Sequence, residues 1–542
     1  MNPVPPRAKA LRAISAPEFD VIVVGGGIVG AGVARDAARR GFRTALIERD
    51  DFASGTSSRS SRLVHGGVRY LEHGWFHLVF EASRERRRLL DNAPHLVRPL
   101  RFTWPVYDHQ RLAKWEIGAG LLMYDVLALY RNVGKHKRMS PDDVVEREPR
   151  VLPKGLEGGA TYWDATTDDA RLTIANVIDA ERAGAELLNH AEVTGVSQSG
   201  GRVDGVVARD LPSGMTLRIR GRVVVNATGP WTDTLRRAED PKAISAVRGT
   251  KGVHLLVPQS RIGNIGALTL LHPKDERVMF ALPAGTNTIL GTTDTRTGDA
   301  PDQVRACASD VQYLLEAANH FFPAASLTES DVISAWAGLR PLIASSDSEQ
   351  PAAQSREHEI VVGPLGVIGV SGGKLTTYRS MAEEIVDVVA EHLHRRDKSD
   401  TAHATLPGGE LPDVDAEVAI ASDICGDAGI ATHLVHTHGS EWRSIWALGA
   451  NTPALRERIA SGCNAIRAEL INGVRNECAR TLADLLVRRT KVAFETRDHG
   501  LSVALEVAAL VAHELGWNAV LQSAAVAEYV REVERLFTID AC

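Results

Sequence analysis

The sequence predicts an α/β protein in three parts: an N-terminal domain with a parallel sheet, a second domain with a mixed or antiparallel sheet, and a C-terminal helical domain. Three observations lead to this prediction. An apolar run near residue 20 leads into closely spaced glycines, as a buried parallel strand does before a helix. A hairpin pattern near residue 285 indicates antiparallel sheet. Beyond residue 410 the apolar residues follow helical spacing.

The composition is typical of a globular protein, with 44% hydrophobic and 24% charged residues and a formal net charge of −6, which argues against a nucleic-acid partner. The five cysteines form no C-x-x-C pair, so no metal site is predicted. No apolar run reaches the ~18–20 residues that span a bilayer, and residues 1–17 lack the apolar core of a signal peptide. We therefore expect a cytoplasmic protein that begins with a disordered lead-in.

The first motif follows the apolar run Val21–Val24, where Gly25, Gly27 and Gly30 match G-x-G-x-x-G. These glycines allow a tight turn, a close approach of a pyrophosphate and close packing of helix on strand. Glu48 ends the next predicted strand, where a carboxylate can accept a hydrogen bond from a ribose hydroxyl. The motif predicts a Rossmann-like dinucleotide-binding domain. It leaves open whether the dinucleotide is FAD or NAD.

The segment "TSSRSSRLVHGGVRYLEHG", residues 56–74, follows this motif and has the serine content of a flexible linker. Its apolar and aromatic residues are too dense for disordered chain, which favours a structured wall of the site. Small hydroxyl donors and glycines suit a flat, polar ligand such as a flavin. Arg69 and Tyr70 add a cation and an aromatic edge.

The same segment resembles the signature of FAD-dependent, respiratory glycerol-3-phosphate dehydrogenases, and the resemblance continues in "RFTWPVY", "KGVHLLVP", "GTTDT", "AGLRPL", "SGGKLTTYR", "LADLLVRRTKV" and "HELGW". It implies that sn-glycerol 3-phosphate is oxidised to dihydroxyacetone phosphate, with hydride transfer to FAD and electron transfer to a membrane quinone. It also implies peripheral attachment to the inner face of the cytoplasmic membrane, for which we expect surface near the C-terminal helices. The oligomeric state stays open, with a homodimer among the alternatives.

Cofactor contacts are expected from the glycine motif, from the hydroxyl-rich segment, from the strand end "ATG" and from the glycine pair of "SGGKLTT". The resemblance adds a contact to adenine near Val193. The expected cofactor-binding residues are Gly25, Gly27, Gly30, Glu48, Thr56, Ser57, Ser61, Leu63, His65, Gly66, Val193, Ala227, Gly229, Gly373, Leu375 and Thr376.

For the substrate, the resemblance implies that Arg340, Arg356 and Lys374 bind the phosphate, since a dianion needs several fixed cations. A lysine at a helix start opposes the helix dipole, which favours a nearby anion. His254 is the candidate base, although Arg69 or Lys374 are alternatives that would stabilise the developing alkoxide. The expected substrate-binding residues are Arg69, Tyr70, Arg340, Arg356 and Lys374, and the expected catalytic residues are His254, Arg69 and Lys374.

The predicted FAD-binding domain is discontinuous and the substrate-binding domain fills its gaps. A polar linker rich in Pro and Gly, residues 395–413, leads to the helical domain. Three rival functions remain: an oxidase that uses oxygen, an amine or amino-acid oxidase, and a flavin-binding scaffold without turnover. The predicted boundaries are 18–95, 155–240 and 350–395 for FAD binding, 96–154 and 241–349 for substrate binding, and 410–542 for the helical domain.

Overall fold

The computed structural model describes residues 6–15, 18–129, 131–344 and 358–541. The strands are β1 (Phe19–Val24), β2 (Thr44–Ile47), β3 (Leu63–Val64), β4 (Arg98–Tyr107), β5 (Lys137–Met139), β6 (Leu156–Thr166), β7 (Glu186–Leu188), β8 (Ala191–Ser199), β9 (Arg202–Asp210), β10 (Thr216–Asn226), β11 (Val247–Pro258), β12 (Ala267–Leu271), β13 (Val278–Ala284), β14 (Asn287–Gly291), β15 (Thr295–Arg296), β16 (Ser334–Ile343), β17 (His358–Val362) and β18 (Ile368–Gly372).

The helices are α1 (Pro6–Ser15), α2 (Ile28–Arg39), α3 (Phe76–Asn92), α4 (Lys114–Leu127), α5 (Pro141–Arg147), α6 (Asp169–Arg182), α7 (Thr232–Glu239), α8 (Gln259–Ile262), α9 (Ala308–Phe321), α10 (Tyr378–His392), α11 (Val414–Cys425), α12 (Ala428–His438), α13 (Trp442–Ala447), α14 (Arg467–Asn476), α15 (Val492–Glu495), α16 (Ala504–Leu515) and α17 (Ala519–Phe537). Among the described residues, no helix is both long enough and apolar enough to cross a bilayer.

The first sheet has the order β17-β18-β10-β1-β2-β7, and the strands from β18 to β7 are parallel. Val21 and Val23 of β1 pack with α2 and α10, whereas Ile22 and Val24 belong to a separate apolar cluster that includes Ile14 of α1. Both faces of β1 are therefore covered, which explains its unbroken apolar sequence. The predicted Rossmann-like domain is confirmed.

The second sheet has the order β15-β11-β14-β13-β12-β4-β6-β3, with β16 beside β11 and β5 beside β6. Its strand pairs are antiparallel except for β4 and β12. The predicted hairpin is formed by β13 and β14, and Gly285 in its turn has a φ of +64°, a value that glycine adopts at low cost. The predicted mixed or antiparallel sheet is confirmed.

Two segments of the predicted FAD-binding domain contain strands that pair in the second sheet. The segment 155–240 was assigned to the FAD-binding domain, but β6 at its start pairs with β4 of the second sheet. The segment 18–95 also contains β3, which pairs with β6. The pattern of apolar residues along a strand identifies buried faces but not the pairing partner, so the sequence placed these strands with their neighbours in the chain.

The expectation of a disordered lead-in was wrong for the described part of residues 1–17. Residues 6–15 form α1, in which Ile14 is fully buried. Arg7 forms an ion pair with Asp210, and its Nη1 donates to the carbonyl of Asn189 over 2.6 Å. Ten residues are too few for a helix to be stable alone, so these tertiary contacts hold it.

The C-terminal domain is helical as expected, since α11 to α17 are the regular elements named from residue 414 onward. Residues 395–413 contain no helix or strand, in agreement with the predicted linker. The linker is nevertheless packed: Leu406 is fully buried and its N–H donates to the carbonyl of Asn92 over 2.8 Å.

Buried charges connect the helical domain to the loop after β2. Arg488 and Arg489 lie in a π-helical turn, Asp484–Arg489. Arg489 donates two hydrogen bonds to Asp51, of 2.7 and 3.0 Å, and Nε of Arg488 donates a third of 2.6 Å. All three side chains are at least 96% buried. This contact fixes the helical domain on the dinucleotide-binding sheet.

We predict that Asp51→Asn lowers the free energy of unfolding by roughly 3–5 kcal/mol, because two buried guanidinium groups lose their carboxylate. Urea unfolding of the purified protein measures this change. Asp91→Asn is the matched control, because it breaks the exposed ion pair with Arg87 and should cost about 0–1 kcal/mol. Equal losses in the two variants would contradict the prediction.

Candidate active site

A cavity of about 420 Å³ is lined by residues from both sheets. The substrate-side residues Tyr70, His254, Arg340 and Lys374 line it. Most of the predicted cofactor residues also line it, whereas Gly30, Gly66 and Thr376 lie behind its wall. The cofactor residues in the wall are Gly25, Gly27, Glu48, Thr56, Ser57, Ser61, Leu63, His65, Val193, Ala227, Gly229, Gly373 and Leu375.

The glycine motif forms a backbone cradle at one end of the cavity. Gly25 has a φ of +103°, and a Cβ there would lie 2.7 Å from the carbonyl oxygen of Ala227. A Cβ on Gly30 would lie 1.8 Å from the carbonyl oxygen of Gly25. The cavity reaches Gly27 and Ile28, where α2 begins. A helix N-terminus favours an anion, so this end fits the pyrophosphate of a dinucleotide.

Glu48 lies just beyond the end of β2 and completes this half of the site. Its Oε2 accepts the N–H of Gly26 over 2.6 Å, and its Oε1 accepts the N–H of Asp50 over 2.9 Å. Burial raises the pKa of Glu48 to about 7, although the two backbone N–H groups act in the opposite direction. The carboxylate is held where a ribose hydroxyl can donate to it.

The hydroxyls of the segment 56–74 connect the two sheets. The Thr56 hydroxyl donates to the carbonyl of Leu339 over 2.6 Å, and Ser57 Oγ accepts the N–H of Ile28 over 2.9 Å. Ser61 Oγ lies 2.8 Å from Nε2 of His254. These hydroxyls thus bond protein groups, and their expected contacts with the cofactor stay predictions.

Thr376, behind the cavity wall, and Asp164, in the wall, fix the backbone of the same segment. The Thr376 hydroxyl accepts from the N–H of His65 over 3.0 Å and donates to its carbonyl over 3.1 Å. Asp164 Oδ1 accepts the N–H of Gly66 over 2.9 Å. A Cβ on Gly66 would lie 2.2 Å from the hydroxyl of Tyr124, so this position requires glycine.

His254 lies on β11 and is 2% exposed. Burial, and after it the charges of Arg340 and Arg62, together lower the pKa of His254 to about 3. The imidazole is therefore neutral near pH 7. Its Nδ1 is buried and has no hydrogen-bond partner in the part of the chain that the structure describes. A neutral ring of this kind can accept a proton.

The structure describes the side chains of two of the four predicted phosphate-binding cations, Arg340 and Lys374. Arg340 lies beside the cavity, and its Nη1 and Nη2 bond Asp294 Oδ1 and Thr292 Oγ1 over 3.0 Å each. Nζ of Lys374 lies 4.2 Å from the centre of the Tyr70 ring. Two expected contributors lie outside the described residues: the whole of Arg356 and the side chain of Arg69.

Lys374, expected at a helix start, lies directly before a short helical turn that leads into α10. It precedes a 3₁₀ turn, Leu375–Thr377, and α10 begins at Tyr378. The proline-free "KLTTYR" run gives no local signal that separates a 3₁₀ turn from a helix start. Three residues thus separate Lys374 from α10, and the lysine lines the cavity.

Sequence reasoning missed Asp164, Asp294 and Trp336, which hold site residues in place. Trp336 stacks on His254 with ring centres 5.4 Å apart and an interplanar angle of 15°. Asp294 belongs to the quoted "GTTDT" stretch, which offered a signal although no role was assigned to it. Asp164 and Trp336 act through contacts between segments that are distant in the chain, which a single sequence does not reveal.

Comparisons with known proteins agree with this site. Residues 20–387 match the family described as FAD dependent oxidoreductase. Residues 399–521 match the family described as C-terminal domain of alpha-glycerophosphate oxidase. These two matches span both sheets and most of the helical domain.

Full-length relatives have the same architecture. A glycerol-3-phosphate dehydrogenase of Synechocystis sp. is 37% identical over 97% of this chain and 98% of its own length. An aerobic glycerol-3-phosphate dehydrogenase of Staphylococcus saprophyticus is 35% identical, with 97% and 96% covered. The solved glycerol-3-phosphate dehydrogenase of Bacillus halodurans, complexed with FAD, has a TM-score of 0.82 and 32% identity, and the match covers 98% of this chain and 97% of that one.

The glycine cradle, the acid after β2 and the cavity beyond them define a flavin-dependent oxidoreductase, in agreement with the family match. With FAD as cofactor, the chain belongs to the family of FAD-dependent glycerol-3-phosphate dehydrogenases. The predicted family, enzyme class and cofactor are confirmed. The roles of the individual site residues stay predictions.

We predict that the affinity for FAD rises with pH through about 7. Burial raises the pKa of Glu48 to about 7, so below this pH the side chain is a neutral carboxylic acid. The neutral group is a weaker acceptor for a ribose hydroxyl than the carboxylate is. The dissociation constant should rise about tenfold between about pH 8 and about pH 6. Fluorescence titration of the flavin-free protein measures it.

Glu48→Gln should remove this pH dependence, because the amide does not titrate in this range. Glu391→Gln, at an exposed position near the end of α10, is the control and should keep it. An unaltered pH dependence in Glu48→Gln would assign the effect to another group.

Proposed function

We propose that this protein oxidises sn-glycerol 3-phosphate to dihydroxyacetone phosphate with bound FAD and passes the electrons to a membrane quinone. The observation that carries this proposal is the juxtaposition of His254, Arg340 and Lys374 in one cavity with the dinucleotide cradle. Relatives named glycerol-3-phosphate dehydrogenase over nearly the whole chain support the substrate.

FAD would be held by the glycine cradle at its pyrophosphate and by Glu48 at its ribose. Gly372 and Gly373 line the cavity with φ values of +77° and +92°, so the chain offers backbone without side chains to a ring system there. When bound, FAD supplies a two-electron oxidant that accepts a hydride from a carbon bearing a hydroxyl.

His254 would take the proton of that hydroxyl. Burial keeps the pKa of His254 low, and the charges of Arg340 and Arg62 add to this effect. A phosphate dianion beside Arg340 would oppose this effect and raise the pKa towards the working pH. The hydrogen bond to Ser61 orients the imidazole while it acts. The phosphate group that the cations bind would thus also make His254 a stronger base.

Arg340 and Lys374 would bind the phosphate and place the substrate's hydroxyl near His254. Arg69 and Arg356 are proposed to add further positive charge, as the family resemblance implies. An amino-acid substrate carries one carboxylate and needs fewer cations, so this set favours a phosphorylated polyol.

Molecular oxygen is the second candidate acceptor. The specific observation in its favour is that residues 399–521 match a domain described for an alpha-glycerophosphate oxidase. Oxygen uptake in the absence of quinone, compared with reduction of a soluble quinone, distinguishes the two acceptors. The proposed quinone reaction requires the second rate to exceed the first.

Anaerobic titration with glycerol 3-phosphate tests the central proposal. The flavin absorbance should bleach at one equivalent of substrate per flavin, and glycerol without phosphate should leave it unchanged at the same concentration. A yellow protein that glycerol 3-phosphate does not bleach would be a binding scaffold, and bleaching by an amino acid would indicate the amino-acid oxidase class.

Attachment to a membrane would bring the enzyme to its quinone, and we propose that the outer face of α4 makes this contact. Its exposed residues Trp115, Leu122 and Val126 follow a helical stripe that continues to Leu129, and these four side chains are 49–70% exposed. Exposed Lys137 and other basic residues lie beyond the helix. An apolar stripe bordered by positive charge fits an anionic lipid surface.

The inner face of the same helix reaches the site. Tyr124 donates to Asp164 Oδ1 over 2.7 Å, and Asp164 lines the cavity. A surface on α4 would therefore place lipid about one helix diameter from the cavity wall, roughly 10 Å. Attachment near the C-terminal helices, as expected from the sequence, is the alternative to this surface.

We predict that Arg340→Ala raises KM for glycerol 3-phosphate at least about tenfold, a loss of roughly 1.4 kcal/mol, because a fixed cation leaves the phosphate site. Steady-state kinetics with a soluble quinone measures KM. Arg248→Ala is the control, since Arg248 lies on the neighbouring strand β11, is exposed and does not line the cavity. An unchanged KM in Arg340→Ala would remove Arg340 from the phosphate site.

We predict that Leu122→Ser with Val126→Ser weakens binding of the flavin-loaded enzyme to vesicles of phosphatidylcholine and phosphatidylglycerol at least about tenfold, since two half-exposed apolar side chains are lost. Co-sedimentation measures the binding. The control pair is Ile244→Ser with Val520→Ser, two more exposed apolar positions elsewhere. Equal losses in both pairs, or equal binding to vesicles without phosphatidylglycerol, would contradict the proposed surface.

A further inference from the structure

The C-terminal helical domain contacts the candidate base through two aromatic rings. Trp336 on β16 is the direct cross-strand neighbour of His254 on β11 and stacks on its imidazole. The edge of Phe494, in α15 of the helical domain, meets the Trp336 ring with centres 5.2 Å apart and an angle of 85°. Both aromatic side chains are at most 3% exposed. The helical domain thus reaches His254 through a single intermediate ring.

A cation joins the same contact. The guanidinium of Arg62 lies 5.4 Å from the centre of the Trp336 ring and 5.0 Å from that of Phe494. Its neighbour in the chain, Ser61, makes the hydrogen bond to Nε2 of His254. Phe494 therefore packs against Trp336, whose ring stacks on the imidazole. It also packs against Arg62, whose chain neighbour Ser61 bonds the imidazole.

His254 needs such a support. A ring held by one hydrogen bond can still rotate about that bond, and Nδ1 has no partner among the residues described here. The adjacent strand β14 offers no side chain, because its residue opposite His254 is Gly291. A Cβ there would lie 2.3 Å from the imidazole Cδ2. Stacking on Trp336 is thus the contact that sets the plane of the ring.

The position of Phe494 is fixed within its own domain and on the second sheet. Ser334 Oγ donates to the Phe494 carbonyl over 2.8 Å. On its far side, the ring of Phe537 in α17 makes an edge contact with centres 5.1 Å apart. Lys491, three residues earlier, bonds Asp168 over 2.6 Å. Phe494 is consequently a rigid support and not a loosely packed side chain.

We infer that Phe494 is a positioning residue for His254, and that the helical domain serves catalysis by holding the stack of Phe494, Trp336 and His254. This inference rests on the proposed role of His254 as base. The domain supplies none of the cavity-lining residues described above, so it acts on His254 indirectly, through this contact.

The test compares Phe494→Leu with Phe321→Leu in the flavin-loaded enzyme. Phe321, on α9, is equally buried but belongs to an apolar cluster that includes neither Trp336 nor Phe494. Stopped-flow reduction by saturating glycerol 3-phosphate should slow about tenfold or more in Phe494→Leu, since a small displacement of a reacting group is costly. KM and flavin content should stay at the wild-type values. Phe321→Leu should lower the melting temperature similarly and leave the rate unchanged.

Combination with His254→Ala separates positioning from general loss of stability. Once the imidazole is absent, Phe494→Leu should slow the reaction no further, because it acts only through His254. An equal loss of rate in that background, or an equal loss in Phe321→Leu, would overturn the inference. If Phe494→Leu yields no folded protein, Phe494→Met is measured in its place.

The outcomes also distinguish the inference from the proposed function. Normal bleaching of the wild type, a slow His254→Ala and a wild-type rate in Phe494→Leu would overturn the inference alone. A wild-type rate in His254→Ala would overturn both the base assignment and the inference. Failure of glycerol 3-phosphate to bleach the wild type would overturn the proposed function, and with it the role of the stack in that reaction.

Discussion

The site depends on the crossing of one segment, residues 56–74, from the dinucleotide-binding sheet to the second sheet. At its start Ser57 caps the N–H of Ile28 on the first sheet's helix, and Ser61 then bonds His254 on the second sheet. The short strand β3 adds a pairing with β6. Because both sheets are tied to this one segment, the cofactor cradle and the substrate side keep a fixed distance from each other.

Much of the cofactor side of this arrangement was predictable, because short local sequence motifs determine it. The apolar strand, the spacing of Gly25, Gly27 and Gly30 and the acid at Glu48 identify the cradle without any tertiary information. Joint occurrence of several motifs identified the flavin-side residues and the family. The sequence did not predict which distant segments pair with each other, such as β6 with β4 or Trp336 with His254. The helix at residues 6–15 was missed for a similar reason, since contacts to Asn189 and Asp210 hold it.

Two of the contacts between the helical domain and the remainder of the chain bear on the site. Arg488 and Arg489 bind Asp51 close to the cofactor's predicted ribose, and Phe494 packs near the candidate base. Few residues separate these contacts in sequence, so one short stretch of the domain bears on both halves of the site. A shift of that stretch would alter cofactor binding and catalysis together.

The ion pair between Arg340 and Asp294 bears on ligand selectivity. A carboxylate already neutralises part of the guanidinium's field, so the attraction left for any anion is reduced. Because electrostatic energy scales with ligand charge, a dianion gains about twice as much from the remaining field as a monoanion does. For Arg340 in its proposed role, Asp294 would therefore weaken the binding of chloride, bicarbonate and simple carboxylates to a low level, while a phosphate ester would keep about twice their attraction.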